Sequence, residues 1–125
     1  MKKIINALLP PVAWALLIFI LSSQSVLPGI EVSTLDFLAK KIAHITVYAV
    51  LYVLLYRATA ILTDTMPANK RQAWLLYVPL FICFAYAISD EFHQSYVPNR
   101  FGSMRDVGYD MLGTSIAFLK VYRYI

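Results

Sequence analysis

The chain has 125 residues, of which 60% are hydrophobic and only 14% are charged, and its mean hydropathy is +0.64. Soluble domains are about half apolar and about a quarter charged, so this composition excludes an ordinary soluble domain and favours a single membrane domain over residues 1–125. The net charge is +4, but the basic residues lie at the chain ends and in loops, not in a stripe on a polar domain. We therefore expect no nucleic-acid partner.

The first apolar segment covers residues 4–21 and follows two lysines, so a secretory signal peptide has to be considered. No small-residue cleavage site follows the run, and Pro10, Pro11 and Trp14 are unusual in such a short apolar core. The rest of the chain also looks like a membrane protein that would use this helix. We predict that the segment stays in the protein as its first transmembrane helix.

The second and third segments are predicted at residues 36–62 and 73–88. Ser33 or Thr34 is suited to cap the second helix, because a hydroxyl there can accept a hydrogen bond from the first turn, and Asp36 follows with a favourable negative charge. Pro79 lies in the middle of the third segment and predicts a kink that neighbouring helices can tolerate in a membrane.

The fourth segment, residues 107–122, is shorter than the roughly 20 residues that a span usually needs. Gly113 and Ala117 form a pair of small residues one turn apart, which lets two helices approach closely. Together the four segments predict an all-α membrane protein, a bundle of four transmembrane helices.

The basic residues predict the orientation, because cytoplasmic loops carry an excess of Lys and Arg. Six would lie on one side of the bundle, namely Lys2, Lys3, Lys70, Arg71, Lys120 and Arg123. Four would lie on the other side, namely Lys40, Lys41, Arg100 and Arg105. The larger set includes both chain ends, so we predict that both termini are cytoplasmic.

The remaining polar residues converge on the opposite side of this predicted bundle. "SSQS" (residues 22–25) ends the first segment, and "SDEFHQSYVPNR" (residues 89–100) ends the third. Helical spacing places Lys41, His44 and Tyr48 on one face. The same reasoning groups two further sets, Asp90 with His93 and Gln94, and Asp106 with Asp110 and Gly113. Ionisable residues at membrane depth usually face the bundle interior and are functional candidates.

Several less specific interpretations compete with a binding or catalytic site. Lys40 can extend to the interface, and Cys83 suits a small buried hydrophobe. The charged residues of the outer loops could form a purely structural network of ion pairs. His44 and His93 with the acids would suit zinc, but no tight metal-binding spacing is present, so we predict neither a metal site nor a cofactor. Serines are available as nucleophiles, but none lies in a recognisable catalytic turn: Ser22, Ser23, Ser25 and Ser89.

The stretch "DEFHQSYVPNRFGSMRDVGYDMLG" resembles the signature of the VanZ-like family, which reads approximately D-E-x-x-Q, then P-x-R, then D-V before N-x-x-G. "IFILSSQS" and "KKIAHITVYAVLYVLL" agree with the family as well, so the resemblance covers nearly the whole chain. The matching positions are Lys41, His44, Tyr48, Asp90, Glu91, Gln94, Arg100, Asp106 and Gly113. Asp110 departs from the pattern, since the family usually has Asn there. An ionised carboxylate only accepts hydrogen bonds, so Asp110 must be protonated or paired with His44 or an arginine.

The resemblance implies a multi-pass protein of the bacterial cytoplasmic membrane, in a family whose founding member is associated with low-level teicoplanin resistance. Our first hypothesis is that the outer polar cluster binds an anionic lipid or a lipid-linked cell-wall precursor, with Asp90 and Asp106 holding the arginines. The expected ligand-binding residues are Lys41, His44, Tyr48, Asp90, Glu91, Gln94, Arg100, Arg105, Asp106 and Asp110.

The second hypothesis is a small intramembrane hydrolase or transferase that acts on a lipid-linked phosphate. The catalytic candidates are His44 or His93 as general acid and base, with Glu91 or Asp90 to orient it or to activate water. Arg100 would stabilise developing charge. A third possibility is a structural or regulatory role, in which the polar cluster is an interface with a second copy or with another membrane protein.

Overall fold

The computed structural model describes residues 1–24 and 33–124, and within these ranges the chain forms four helices and no strand. The helices are α1 (Lys2–Ser22), α2 (Thr34–Leu62), α3 (Ala68–Gln94) and α4 (Met104–Val121). The prediction of an all-helical fold with four helices is confirmed. α3 is longer at both ends than predicted and runs without interruption through Pro79. Its polar last turn stays helical because Asp90, Glu91 and Gln94 are buried against the other helices.

Side-chain caps fix where two of the helices begin. The backbone N–H of Asp36 donates a 3.1 Å hydrogen bond to Oγ of Ser33, so Ser33, one of the two predicted candidates, caps α2. Ser103 caps α4 in the same manner and accepts a 3.2 Å hydrogen bond from the backbone N–H of Arg105. These caps start α2 and α4 at the same end of the bundle, the end where α1 and α3 finish.

α2 is the central helix, because it packs against each of the other three and shares its largest interface with α4. Gly113 lies where the backbones of α2 and α4 come close together. A Cβ added to Gly113 would come within 2.0 Å of the backbone oxygen of Ile45 on α2. Ala117, one turn later, is also buried. The close packing predicted from these two small residues is therefore present.

The distribution of side chains is that of a membrane protein. α1, α2 and α3 are each long and apolar enough to cross a membrane, and α4 is not among them. Large apolar side chains cover the outside, with Leu9 62% and Phe81 71% exposed. The interior is built around Tyr48, Tyr52 and Cys83, all fully buried, which confirms the structural interpretation of the cysteine.

Candidate functional site

Polar and charged side chains gather at the end of the bundle where α1 and α3 finish and α2 and α4 begin. Asp90, in the last turns of α3, is 3% exposed. Its Oδ2 accepts hydrogen bonds from Oγ of Ser22 at 2.9 Å and from Nε2 of Gln94 at 3.2 Å. Gln94 lies one turn after Asp90 on the same helix, so two elements, α1 and α3, fix the orientation of this carboxylate.

His44 and Asp110 form the second buried contact, between α2 and α4. Nδ1 of His44 donates a 2.8 Å hydrogen bond to Oδ1 of Asp110, whose side chain is fully buried. This contact answers the question raised by the acid at position 110. Asp110, which stands where the family usually has Asn, is paired with His44, one of the two kinds of partner that the sequence suggested.

Lys41 and Asp106 form a third contact between the same two helices. The ammonium of Lys41 donates a hydrogen bond to Oδ1 of Asp106, and both side chains are largely buried. The ammonium also lies 5.2 Å from the ring centroid of Phe37 and 5.1 Å from that of Tyr109, within the range of cation–π attraction. Lys41 is therefore committed to the interface between α2 and α4.

Glu91 holds the loop before α4. Its Oε2 accepts a 2.7 Å hydrogen bond from the backbone N–H of Ser103. The loop passes so close that a Cβ on Gly102 would lie 2.3 Å from the backbone oxygen of Glu91. Glu91 was a candidate to orient a catalytic histidine, but its carboxylate contacts the backbone of the loop. The carboxylate that contacts His44 belongs to Asp110.

Arg100 lies beside the end of α1. It follows Asn99, whose φ of 61° is in the left-handed region that asparagine adopts more readily than most residues. Nη1 of Arg100 donates hydrogen bonds to the backbone oxygens of Ser22 at 2.9 Å and Gln24 at 3.2 Å.

The expectation that Asp90 and Asp106 hold the arginines is not met. Within the described residues Asp90 contacts Ser22 and Gln94, and Asp106 contacts Lys41. The reason is geometric, because Arg100 reaches the open carbonyl groups at the C-terminus of α1. Arg105 lies exposed at the start of α4.

A cavity of about 290 Å³ opens between α1, α2 and Arg100. One part of its wall is apolar, formed by Ile18, Leu21, Ala43 and Val47. The other part is polar, formed by Ser22, Gln24, Lys40, His44 and Arg100. His44 and Arg100 therefore face the same cavity. Lys40 was interpreted from the sequence as an interfacial lysine. In the structure it lines this cavity, which depends on how α2 packs against α1.

Three side chains from three helices could hold a metal ion. Ligand atoms of His44 on α2, Asp90 on α3 and Asp110 on α4 all lie within 4.8 Å of one another. His93 is outside this group, because its Nε2 lies 3.0 Å from Oγ of Ser23 and its ring packs on Phe19 with centroids 4.4 Å apart. The sequence analysis named all three residues as candidates, but it could not show that they come together, since no two of them are close in the chain.

Two further predicted residues remain. Tyr48, one turn after His44, is fully buried, and its hydroxyl has no hydrogen-bond partner among the residues described. Ser25, considered above as a nucleophile, lies outside the described residues. Ser22 and Ser23 are instead hydrogen-bonded to Asp90 and His93.

Comparison with known proteins gives one match. The family model described as VanZ/LLP1 matches residues 4–124, nearly the full chain. No curated protein and no solved structure gives a significant match.

Proposed function

The chain belongs to the VanZ/LLP1 family, and from this premise we propose that it is a multi-pass protein of the bacterial cytoplasmic membrane that binds an anionic lipid or a lipid-linked cell-wall intermediate. In this proposal α4 is the fourth span and both termini are cytoplasmic. The polar end of the bundle then meets the outer leaflet. The excess of Lys and Arg on the opposite side of the bundle supports this orientation.

The observation that carries the proposal is the cavity between α1 and α2, which is lined by both apolar and polar side chains. Its apolar wall suits an isoprenoid or acyl chain, and its polar wall presents Lys40, His44 and Arg100. A lipid has the same division between an apolar chain and a charged head group. Arg offers a planar fork for phosphate oxygens, and Lys offers a point charge.

The charges that remain unpaired favour an anion. Lys41 is paired with Asp106, and His44 with Asp110. Lys40 and Arg100 make no salt bridge with any carboxylate in the described ranges, and both line the cavity. Two cations that line one cavity, with no carboxylate among the described residues of its lining, attract a negatively charged group.

A role in the cell envelope follows from where such ligands occur. Lipid-linked cell-wall precursors are anionic and are exposed at the outer leaflet, the level at which we place the cavity. The association of the family's founding member with teicoplanin resistance supports the same location. Expression of this chain in a susceptible bacterium is expected to raise the teicoplanin concentration needed to stop growth, and the Lys40→Ala variant is expected to raise it less.

Native mass spectrometry of the detergent-purified protein tests the ligand directly. Polyprenyl phosphate is expected to remain bound to the wild type, whereas uncharged polyprenol is not. Arg100→Ala is expected to weaken retention about tenfold, since a hydrogen bond to a charged group contributes about 1.5–3 kcal/mol. Lys40→Ala tests the charge without touching the loop, because Lys40 makes no hydrogen bond to any residue described.

Arg105→Ala is the matched control. It removes one positive charge at the same end of the bundle, but Arg105 is exposed and does not line the cavity. Retention of polyprenyl phosphate should stay near the wild-type level. Equal losses in Lys40→Ala and Arg105→Ala would mean that head groups are attracted by net charge alone, and the proposed cavity would not be the binding site.

A second candidate function is hydrolysis or group transfer on the bound phosphate. The observation that favours it is His44, which lines the cavity and is oriented by a buried carboxylate, as general bases in enzymes usually are. Turnover of polyprenyl diphosphate that is lost in His44→Gln would support catalysis. Measurable binding without product would leave the protein as a binder.

A further inference from the structure

The group formed by His44, Asp90 and Asp110 has the composition of a metal site rather than of an ion pair. We propose that these three side chains bind one divalent transition-metal ion, of the zinc or manganese kind, beside the lipid-binding cavity. The proposal goes beyond the function proposed above and does not depend on it. Each ligand comes from a different helix, α2, α3 and α4, so the ion would join three of the four helices.

The distances are close to those that such an ion requires. The three ligand atoms lie within 4.8 Å of one another, and the pair from His44 and Asp110 is already at 2.8 Å. Metal–ligand bonds of about 2.0–2.2 Å in a tetrahedron place neighbouring ligand atoms roughly 3.3 Å apart. The ligand atoms lie within a limit that is longer than this separation, so some of them would move closer together when the ion binds.

Unsatisfied oxygens give an independent indication of a missing ligand. Asp90 is 3% exposed and Asp110 is fully buried, yet Oδ1 of Asp90 and Oδ2 of Asp110 have no hydrogen-bond partner among the residues described. The hydroxyl of Tyr48, one turn after His44, also has none. Leaving a buried carboxylate oxygen without a partner is costly, and native proteins rarely do so. A bound cation would satisfy both carboxylates at once.

The balance of acidic and basic groups favours a cation. Two carboxyl groups, those of Asp90 and Asp110, face a single imidazole inside the bundle, so acidic groups outnumber basic ones in the group. Lys41 is already paired with Asp106, and Arg100 donates hydrogen bonds to the backbone oxygens of Ser22 and Gln24. A divalent ion with a neutral histidine balances the two carboxylates completely. Metal ligation also requires the neutral form of histidine.

The surrounding residues resemble the outer support of metal sites, in which hydrogen bonds orient the ligands. Ser22 and Gln94 both donate to Asp90 and fix its carboxylate. His44 and Ser22 line the cavity as well. An ion held by three protein ligands at this wall would keep a coordination position for water or for an oxygen of a bound phosphate.

The ligand types select the class of ion. Calcium and magnesium are bound mainly by oxygen, whereas imidazole nitrogen favours zinc, iron, nickel and copper. One nitrogen with two carboxylates is a mixed set that suits Zn²⁺ and also Mn²⁺. These two ions are therefore the probes for the experiment.

The test measures metal bound to the full chain in detergent, purified without a histidine tag and without added lipid. After treatment with a chelator, the protein is dialysed against Zn²⁺ or Mn²⁺ and freed of excess ion, and the metal is measured by elemental mass spectrometry. About one ion per chain is expected for the wild type, with at least a tenfold weaker affinity in His44→Gln and Asp110→Asn. His93→Gln is the matched control, because His93 lies outside the group.

Thermal unfolding guards against variants that simply fail to fold. The ion is expected to raise the unfolding temperature of the wild type and of His93→Gln, because it binds only the folded state, and to leave that of Asp110→Asn unchanged. No retained metal in the wild type together with no rise in its unfolding temperature would overturn the proposal. Equal retention by His44→Gln and the wild type would overturn it too. Neither result affects the lipid experiment, which depends on Lys40 and Arg100.

Discussion

The role that a charged residue can have at the polar end of the bundle depends on the group that it contacts. Lys41 and Arg100 carry the same charge, yet Lys41 contacts a carboxylate and two aromatic rings, whereas Arg100 contacts backbone oxygens and a cavity. Helical spacing correctly placed Lys41, His44 and Tyr48 on one face of α2. The partners Asp106 and Asp110 lie 65 and 66 residues away along the chain, so no local pattern could identify them.

The contact between Lys41 and Asp106 gives the first prediction. Lys41→Met leaves the Asp106 carboxylate largely buried without its partner, and we expect a loss of about 1–3 kcal/mol in the free energy of unfolding. Adding Asp106→Leu should restore most of this loss, because the pair is then replaced by apolar contact. Thermal or denaturant unfolding in detergent, followed by circular dichroism, measures both variants.

The exposed pair of Lys3 and Asp64 is the control for that experiment. Lys3 donates a 2.6 Å hydrogen bond to Asp64, which holds the pKa of this carboxyl below its usual value, but both side chains are about half exposed, at 48% and 49%. Water screens such a pair, so Lys3→Met should not change stability measurably. A Lys41→Met variant as stable as Lys3→Met would show that burial of the first pair contributes nothing.

The position of α4 in the bundle depends on its contacts with α2 more than on its own hydropathy. It is the helix that hydropathy does not identify as a span, and it carries Asp106 and Asp110 on the face toward α2. Gly113 continues this face, and there the two backbones come into direct contact. The helix is therefore held on α2 by two polar contacts followed by one close approach.

The two glycines of α4 give the second prediction. Gly113→Ala would place a methyl group against the backbone of Ile45, which cannot move aside as a flexible side chain would, so we expect a loss of about 1–3 kcal/mol or more. Gly108→Ala meets no atom within 4 Å. It should instead stabilise the helix by about 0.5–1 kcal/mol, the usual gain of alanine over glycine. The unfolding temperatures of both variants and the wild type, measured side by side, test this prediction. An unchanged unfolding temperature in Gly113→Ala would contradict the close approach.

The elements themselves were predictable to different degrees. The apolar runs predicted the number of helices, which depends on local hydropathy. The residue types predicted a cap of α2 at Ser33 or Thr34, and the local hydrogen bond is made by Ser33. The apolar run of the third segment was predicted to end at residue 88, and helical spacing grouped Asp90, His93 and Gln94 on one face beyond it. The helix does continue to Gln94. Its polar last turns are stabilised by burial against α1 and the loop before α4, through Ser22 and Ser103, and such tertiary contacts leave no local signal.

At the scale of the whole molecule, the polar residues lie inside at one end and the apolar residues lie outside. Among the described residues, the buried polar side chains belong mainly to that end, whereas large exposed ones such as Phe81, at 71%, are apolar. In a membrane this arrangement places the apolar side chains against lipid and keeps the polar side chains in contact with one another. The cavity was not predictable, because it depends on how far α1 stands from α2, which only the three-dimensional packing decides.

The orientation of the bundle gives the third prediction, tested with single cysteines. The native Cys83 is fully buried and should stay unlabelled in the folded protein. In intact cells, a membrane-impermeant maleimide is expected to label Arg105→Cys at the outer face, and to label Lys70→Cys only after the cells are opened, since both positions are exposed. Labelling of Lys70→Cys in intact cells would reverse the proposed orientation.

The pairing of α4 with α2 has a consequence for biogenesis. An aspartate near the centre of an isolated helix opposes transfer from the translocon into lipid by about 2.5–3.5 kcal/mol. The two acids of α4 meet Lys41 and His44 on a helix that is synthesised well before it. In the four-span arrangement that we propose, α4 should therefore leave the translocon already docked on α2, with its acids paired. Membrane insertion of α4 and assembly of the polar site would then be a single event.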